Sequence, residues 1–310
     1  MPRDLKIGTR GSALALTQAR WVAAQISGRY PACRVELVII KTTGDKIQDV
    51  PLAQIGGKGL FIKEIEEALL TGQVDLAVHS LKDLPTTLDA RFGLAAVLPR
   101  APIRDVLVSR SPVVLAELPA GARVGTSSVR RARQLAWMRP DLTIVDLRGN
   151  VPTRLRKLAG DDTYDAILLA EAGLVRLDFL PETPAAASEP VTGMPGLFAQ
   201  RLPEDTFYPA AGQGAIGLEI RATDAPSRVF AEGIGHRDTW LRITAEREFL
   251  RLLDAGCHTP VGVFSALSGA EMHLSARVFP ESGGPPRTGE VSGPAADPIT
   301  LALTLYQSLS

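Results

Sequence analysis

The chain has 310 residues, 45% hydrophobic and 22% charged, which is enough for two or three domains with their own cores and too apolar for a disordered chain. Lys plus Arg and Asp plus Glu each total 34, so no global positive field draws the chain to nucleic acid or anionic lipid, and any basic site must be local. Two cysteines, Cys33 and Cys257, and four histidines without C-x-x-C or H-E-x-x-H spacing exclude a disulfide framework and leave no recognisable metal cage.

Residues 5–26 read as a strand (LKIG), a tight Gly-Thr-Arg-Gly turn and a helix beginning near Ser12, with Leu14, Ala15, Ala19, Val22 and Ile26 on one face. A second strand (35–40) ends in KTTGD. The run GGKGLF then leads into a helix whose Phe61, Ile65, Ala68 and Leu69 share a face and which stops at Gly72. The apolar DLAVHS (75–80) is a third strand, followed by the loop LKDLP. Such alternation predicts a parallel or mixed sheet covered on both faces. The order then repeats in ARVGTSSVRRARQLAW (122–137), LTIVDLRGN (142–150) and YDAILLAEAGL (164–174); Gly59 to Asp75 and Gly149 to Asp165 are both sixteen apart. Two similar α/β lobes are expected, with PRAPIR (99–104) crossing between them. Residues 181–205, rich in Pro, Ala and Gly and without periodicity, read as a flexible surface excursion, and 206–221 as a strand returning to one lobe. An α+β unit follows. Its first helix carries Leu241, Ala245, Phe249 and Leu252 on one face; then come AGCHTP, two strands and a last helix with Asp297 as N-cap and Pro298 in its first turn.

In an open α/β sheet, ligands bind beyond the carboxyl ends of the strands. Five loops leave such ends here, carrying Arg10 with Ser12, Lys41 with Asp45, Lys82 with Asp83, Ser127 and Ser128 with Arg130 and Arg131, and Arg148. Two arginines in the first turn of a helix oppose its dipole by about 0.3–1 kcal/mol each, so an anion should compensate. Backbone N–H groups and the two serine hydroxyls make GTSSVRR a candidate anion cradle. Arg148 and Arg154, around the N-V-P turn, repeat the theme. Any one of these arginines is more simply solvated or ion-paired, but their recurrence in equivalent loops favours a shared anionic ligand. Only seven of the basic residues are Lys, and Arg offers a planar fork that matches carboxylates, although a coding bias explains the excess equally well.

Asp83 either caps a helix or pairs with Lys82, or it stays ionised among cations to stabilise a developing positive charge or hold a ring N–H. His79 reads as a satisfied core histidine and Cys33 as a small buried hydrophobe. His258 has no visible third partner for a hydrolytic triad. Cys257, between Gly256 and His258 in the loop after an amphipathic helix, is open to two readings: nucleophile or attachment site, or inert core residue.

The runs KIGTRGSALAL, GGKGLFIKE, DLAVHSLKDLP, GTSSVRRARQLA, LRGNVPTRL, AAGQGAIGLE and AGCHTP, in this order over roughly residues 5–265, resemble the porphobilinogen deaminase family. The resemblance implies an α/β fold of two similar lobes resembling type II periplasmic binding proteins plus a C-terminal α+β domain that carries the cysteine. The boundaries expected are 1–100 with 206–224, 104–202 and 228–310. It implies a transferase that condenses four porphobilinogen molecules head to tail, releasing ammonia, to give hydroxymethylbilane in haem biosynthesis. Its cofactor would be a dipyrromethane joined to Cys257 by a thioether. Asp83 would be the catalytic carboxylate. Arg10, Ser12, Lys58, Lys82, Thr126, Ser128, Arg130, Arg131, Arg148, Arg154 and Arg176 would bind the acetate and propionate arms of cofactor and substrate.

The residue types suit that chemistry, because each pyrrole brings two carboxylates and the growing chain needs many donors that stay protonated. Lys6 stands where the family usually has arginine, Gln54 where a lysine is common and Ala255 where glycine is frequent. No metal, nucleic acid or membrane partner is expected. No apolar run approaches a membrane span and MPRDLKIGTR lacks the apolar core of a secretion signal, so the expectation is a cytoplasmic monomer. The competing reading is a non-catalytic two-lobed binding protein for a small carboxylate.

Overall fold

A computed structural model describes residues 4–46, 62–255, 259–280 and 282–309. Strand β1 (Asp4–Arg10) runs into helix α1 (Ala13–Arg29) through a turn that ends at Ser12, whose extended backbone and Oγ, accepting from Ala15 N, cap the helix. The buried face of α1 is Gln18, Ala19, Val22 and Ile26. Leu14 and Ala15, expected on that stripe, instead border a cavity, because the first turn of the helix overhangs the sheet edge. Strand β2 (Arg34–Ile40) lies parallel to β1, followed by the short α2 (Thr43–Lys46) and then by α3 (Lys63–Leu70), which ends before Gly72 at φ 71°. Phe61, expected to open the α3 face, lies outside the described residues. Strand β3 (Leu76–Ser80) pairs parallel with β1, a 3-10 turn spans Leu81–Asp83, and β4 (Phe92–Val97) precedes the crossing segment.

Beyond the crossing come β5 (Asp105–Ser109), β6 (Arg123–Gly125), α4 (Val129–Met138), β7 (Thr143–Val145), α5 (Val151–Gly160), β8 (Ala166–Ala170) and α6 (Glu171–Arg176). Two short strands, β9 (Glu189–Pro190) and β10 (Phe198–Arg201), lie before β11 (Ile216–Arg221). The first sheet has the order β2-β1-β3-β11-β4 and the second β7-β6-β8-β5-β10-β9. In each, three parallel strands are followed by an antiparallel one, β11 in the first and β5 in the second. The sequence echo is therefore a topological repeat, and β11 is the returning strand, antiparallel to both β3 and β4.

Residues 181–205 depart from expectation. Part of this stretch is built into the second sheet: β10 pairs with β5 and β9 with β10, while Val191, Leu197 and Ala199 are buried in the lobe's core. Arg201 is tied to Glu171 and Glu189 inside the fold. Pairing over so few residues leaves no period for a sequence to display.

The third unit contains α7 (Ala225–Glu232), α8 (Arg237–Leu252), β12 (Val261–Ser268), β13 (Glu271–Val278), β14 (Arg287–Pro294) and α9 (Pro298–Ser308). Asp297 caps α9 by accepting from Thr300 N. Ala245, Phe249, Val263, Leu274 and Leu305 form the core between helices and sheet. The polar RTGEVSGP was not legible as a strand, yet β14 pairs with β13 along eight residues. Gly289 explains its composition: a Cβ there would press on Leu309 and Ser308 at 3.0 Å, so glycine lets the end of α9 lie close. No helix among the described residues is long and apolar enough to cross a membrane.

Candidate functional site

A cavity of about 370 Å³ opens between the first and second sheets. One wall carries Arg10, Ser12, Gln18, His79, Ser80, Lys82 and Asp83; the other carries Arg131, Arg148, Asn150, Arg154 and Arg176; Gly212, Gly214 and Ala215 of the returning segment floor it. The N-terminal turns of α1 and α5 both border it. Each is capped by its own side chain, Ser12 for α1 and Asn150, which accepts from Thr153 N, for α5. Two positive helix ends thus add to the cations of the walls.

The cations crowd one another. Burial, with the guanidiniums of Arg131 and Arg148 nearby, pulls Arg154 down to about 10, and its Nε donates to the Gly149 carbonyl at 2.7 Å. Burial alone brings Arg176 to about 10 while its Nη2 donates to the Gly214 carbonyl at 2.7 Å. Lys82, half-buried at the cavity wall, falls to about 8 through burial and the proximity of Arg131; its Nζ donates to Gln213 Oε1 at 3.2 Å. All three remain charged at neutral pH, and a polyanion entering the cavity would offset their burial and the repulsion that Arg154 and Lys82 feel from neighbouring arginines. Asp83 is exposed at the cavity margin, held in the turn that Leu81 N anchors to the Ala215 carbonyl.

Eight expected residues therefore meet: Arg10, Ser12, Lys82, Asp83, Arg131, Arg148, Arg154 and Arg176. Thr126, Ser128 and Arg130 do not border the cavity. Thr126 Oγ1 accepts from Ser128 N, and Ser128 Oγ caps α4 by accepting from Arg131 N. Arg130 is buried, donating through Nη1 to Asp105 Oδ2 at 2.6 Å and to the Tyr208 carbonyl. The anion that the dipole argument demands at α4 is thus an internal carboxylate. Asp105 also accepts from Arg131 Nε and Nη2 at 2.9 and 2.7 Å. Burial pushes the Asp105 carboxyl up, but the two guanidiniums outweigh it and hold it well below the usual carboxylate range. Lys41 is exposed and absent from the cavity lining. Lys58, Cys257, His258 and the side chain of Asp45 lie outside the described residues.

Several participants escaped the sequence reading. Asp105 opens an apolar strand, where an acid facing two arginines was a usable signal. Gln18 exchanges hydrogen bonds with Ser80. His79 is a core histidine as expected, but its partner is the fully buried Glu219, with Nε2 at 2.9 Å from Oε2. Cys33 is buried in the first core. Lys6 is exposed on β1 and away from the cavity.

The third unit is fastened to this site through α8. Glu246, buried, receives Arg100 Nη1 and Nη2 at 2.5 and 2.9 Å and Gly212 N at 2.7 Å. Arg247 donates to the carbonyls of Leu84, Pro85 and Thr86, just after Asp83. The helix that precedes Cys257 is thereby anchored to the Asp83 turn and to the cavity floor. Among the described residues, no group of three or more His, Cys, Asp or Glu is arranged to hold a metal ion.

Residues 5–228 match the family model "Porphobilinogen deaminase, dipyromethane cofactor binding domain", and residues 240–309 match "Porphobilinogen deaminase, C-terminal domain". The porphobilinogen deaminase of Geobacter sulfurreducens is 45% identical over 305 residues, 98% of this chain and 91% of that protein. That of Geobacter metallireducens is 44% identical over 308 residues, covering 99% and 92%. Among solved structures, an arginine-specific periplasmic binding protein from Salmonella typhimurium is similar with a TM-score of 0.41 and 14% identity over 75% of this chain and 92% of the other.

Proposed function

This chain belongs to the porphobilinogen deaminase family, and from that premise we propose how its side chains divide the work. The reaction is the head-to-tail condensation of four porphobilinogen molecules, with release of ammonia, to hydroxymethylbilane, the linear precursor of porphyrins and haem. A dipyrromethane, when bound, supplies the pyrrole end from which the chain grows. The donor set fits such a group: guanidiniums, an ammonium and two helix N-termini answer the carboxylates of each ring, and the margin holds one acid.

In this reading Arg10, Ser12, Lys82, Arg131, Arg148, Arg154 and Arg176 hold acetate and propionate arms. Lys58 joins them on the strength of the resemblance, and Cys257 is the thioether attachment. Thr126, Ser128 and Arg130 act through Arg131, by capping α4 and sharing Asp105 with it. Asp83 faces the substrate as a carboxylate. When ammonia departs, the methylene carbon of the substrate is left electron-poor, and a fixed negative charge beside the ring favours that change without forming a bond to it. Bidentate arms hold the reacting carbon near its acceptor, which lowers the entropic barrier at each addition. The domain limits 1–100 with 206–224, 104–202 and 228–310 belong to the same reading, supported by three separate sheets, as does a monomer in the cytoplasm.

The observation that carries this proposal is the meeting of seven carboxylate-binding side chains with Asp83 in one cavity. Incubation with porphobilinogen, followed by ammonia assay and intact mass, tests it. The expected result is ammonia release by a protein heavier than its sequence by a dipyrromethane, and loss of that increment in Cys257→Ser. A protein that binds porphobilinogen yet releases no ammonia would instead be the two-lobed carboxylate receptor.

A further inference from the structure

Gln213 is completely buried between Gly212 and Gly214, whose φ angles are 70° and 83°. Both glycines are needed there. Their backbone is left-handed, and a Cβ at Gly214 would strike the Ala101 carbonyl, so the two segments that cross between the lobes touch backbone to backbone. The polar atoms of Gln213 are fully used. Oε1 accepts from Lys82 Nζ at 3.2 Å; Nε2 donates to the Ile103 carbonyl at 2.7 Å and to Asp105 Oδ1 at 3.1 Å; its own carbonyl accepts from Arg100 Nε at 2.8 Å.

We propose that Gln213 is a positioning residue whose carboxamide joins Lys82 on the first lobe's wall to Asp105, the carboxylate that holds Arg131 on the second lobe's wall, and so sets the spacing of carboxylate-binding cations across the cleft. A primary amide suits the place because one end accepts from an ammonium while the other donates to a carboxylate. Glutamate would turn an acceptor toward Asp105, and methionine would fill the volume with neither function. The significance for porphobilinogen binding rests on the function proposed above; the coupling of Gln213 to Lys82 does not.

The charged groups acting on Lys82 are Arg130 and Arg131 from α4, Asp105 from β5 and Asp83 from its own turn. Trace acetylation of the full-length protein across pH, read at the Lys82 peptide by mass spectrometry, follows its proton. In the unsubstituted protein the midpoint should lie near 8. Gln213→Glu brings a carboxylate beside the ammonium and should raise the midpoint by about one pH unit or more. Gln213→Met removes the acceptor and should lower it. In both variants KM for porphobilinogen should rise roughly fivefold or more, with kcat changed less.

A merely structural role would reduce the amount of active protein while leaving KM and the Lys82 midpoint where they were, and either constancy in a folded variant overturns the proposal. Should neither variant fold, Gln213→Asn, which keeps the amide but shortens its reach, should still shift the Lys82 midpoint and KM, and constancy of either overturns the proposal. Shifted midpoints in a protein that releases no ammonia would sink the functional reading and spare the coupling.

Discussion

The two lobes begin alike and use their openings differently. From the end of β1 the chain reads Gly-Thr-Arg-Gly-Ser and from the end of β6 Gly-Thr-Ser-Ser; in both the threonine is buried and a serine caps the following helix. In the first lobe Arg10 and the N-terminus of α1 border the cavity. In the second, Arg130 turns away to a buried acid and Arg131 is shared between that acid and the cavity rim. The buried acids differ as well: Asp105 on β5 answers two arginines, whereas Glu219 on β11 answers His79. A repeated motif thus repeats a backbone solution, while the direction of its charges is decided by what the neighbouring antiparallel strand offers.

The strongest challenge to this contrast is removal of the acid. Asp105→Ala strands two buried guanidiniums and should cost about 3–5 kcal/mol, enough to prevent folding or to shift the denaturation midpoint grossly; a near-unchanged midpoint would mean the pair is not internal. The same carboxyl has a depressed folded-state pKa, so its contribution is complete above its unfolded value of about 3.9 and is lost only as pH falls toward the lower folded value. Acid unfolding monitored by circular dichroism should therefore need strongly acidic conditions.

Asp83→Ala is the converse case, an exposed acid of the other lobe. The thermal midpoint should stay within a degree or two of the parent, since exposed substitutions are usually within about 0.5 kcal/mol, while ammonia release falls by a factor on the order of 10²–10³. Unimpaired turnover would remove Asp83 from the mechanism. Arg10→Leu and Arg130→Leu then separate the two walls. The first should raise KM about tenfold or more with stability kept. The second should lower stability by roughly 3–5 kcal/mol, and in the surviving folded fraction KM should rise less than in Arg10→Leu, because Arg130 acts only through Arg131; steady-state kinetics beside urea titration reads both. The smallest and sharpest comparison is Ser12→Ala against Ser128→Ala. Each loses a cap worth about 1 kcal/mol, but the first should weaken porphobilinogen binding more, because Ser128 acts only through Arg131, and equal KM values in the two would erase the distinction.

Much of the site was legible because its chemistry is local. Strand, glycine turn, N-capping serine and helix are written in consecutive residues, and ligands gather where such loops leave a sheet, so Arg10, Lys82, Asp83, Arg148 and Arg154 could be named from order alone. Arg130 was expected among the anion-binding residues, and its pairing with Asp105, 25 positions earlier in an apolar run, was not legible. Gln213, Glu219 and Glu246 carry no sign of importance in sequence, since the partners Lys82, His79 and Gly212 lie more than 30 residues away. The strands β9, β10 and β14 were missed for a related reason: short or polar strands draw their stability from a neighbour's backbone and not from an alternating apolar face.

By itself, the amino-acid order determined the repeated strand-loop-helix units, their caps, the concentration of arginine at strand ends and the motifs that mark the family, because propensity, capping and periodicity act over a few residues. Tertiary structure alone decided which arginines line the cavity and which pair with Asp105, and it joined the lobes and α8 through the hydrogen bonds of Gln213 and Glu246. Those choices depend on distances between residues far apart in the chain, where a buried charge must find its partner in space and sequence spacing says nothing of the path.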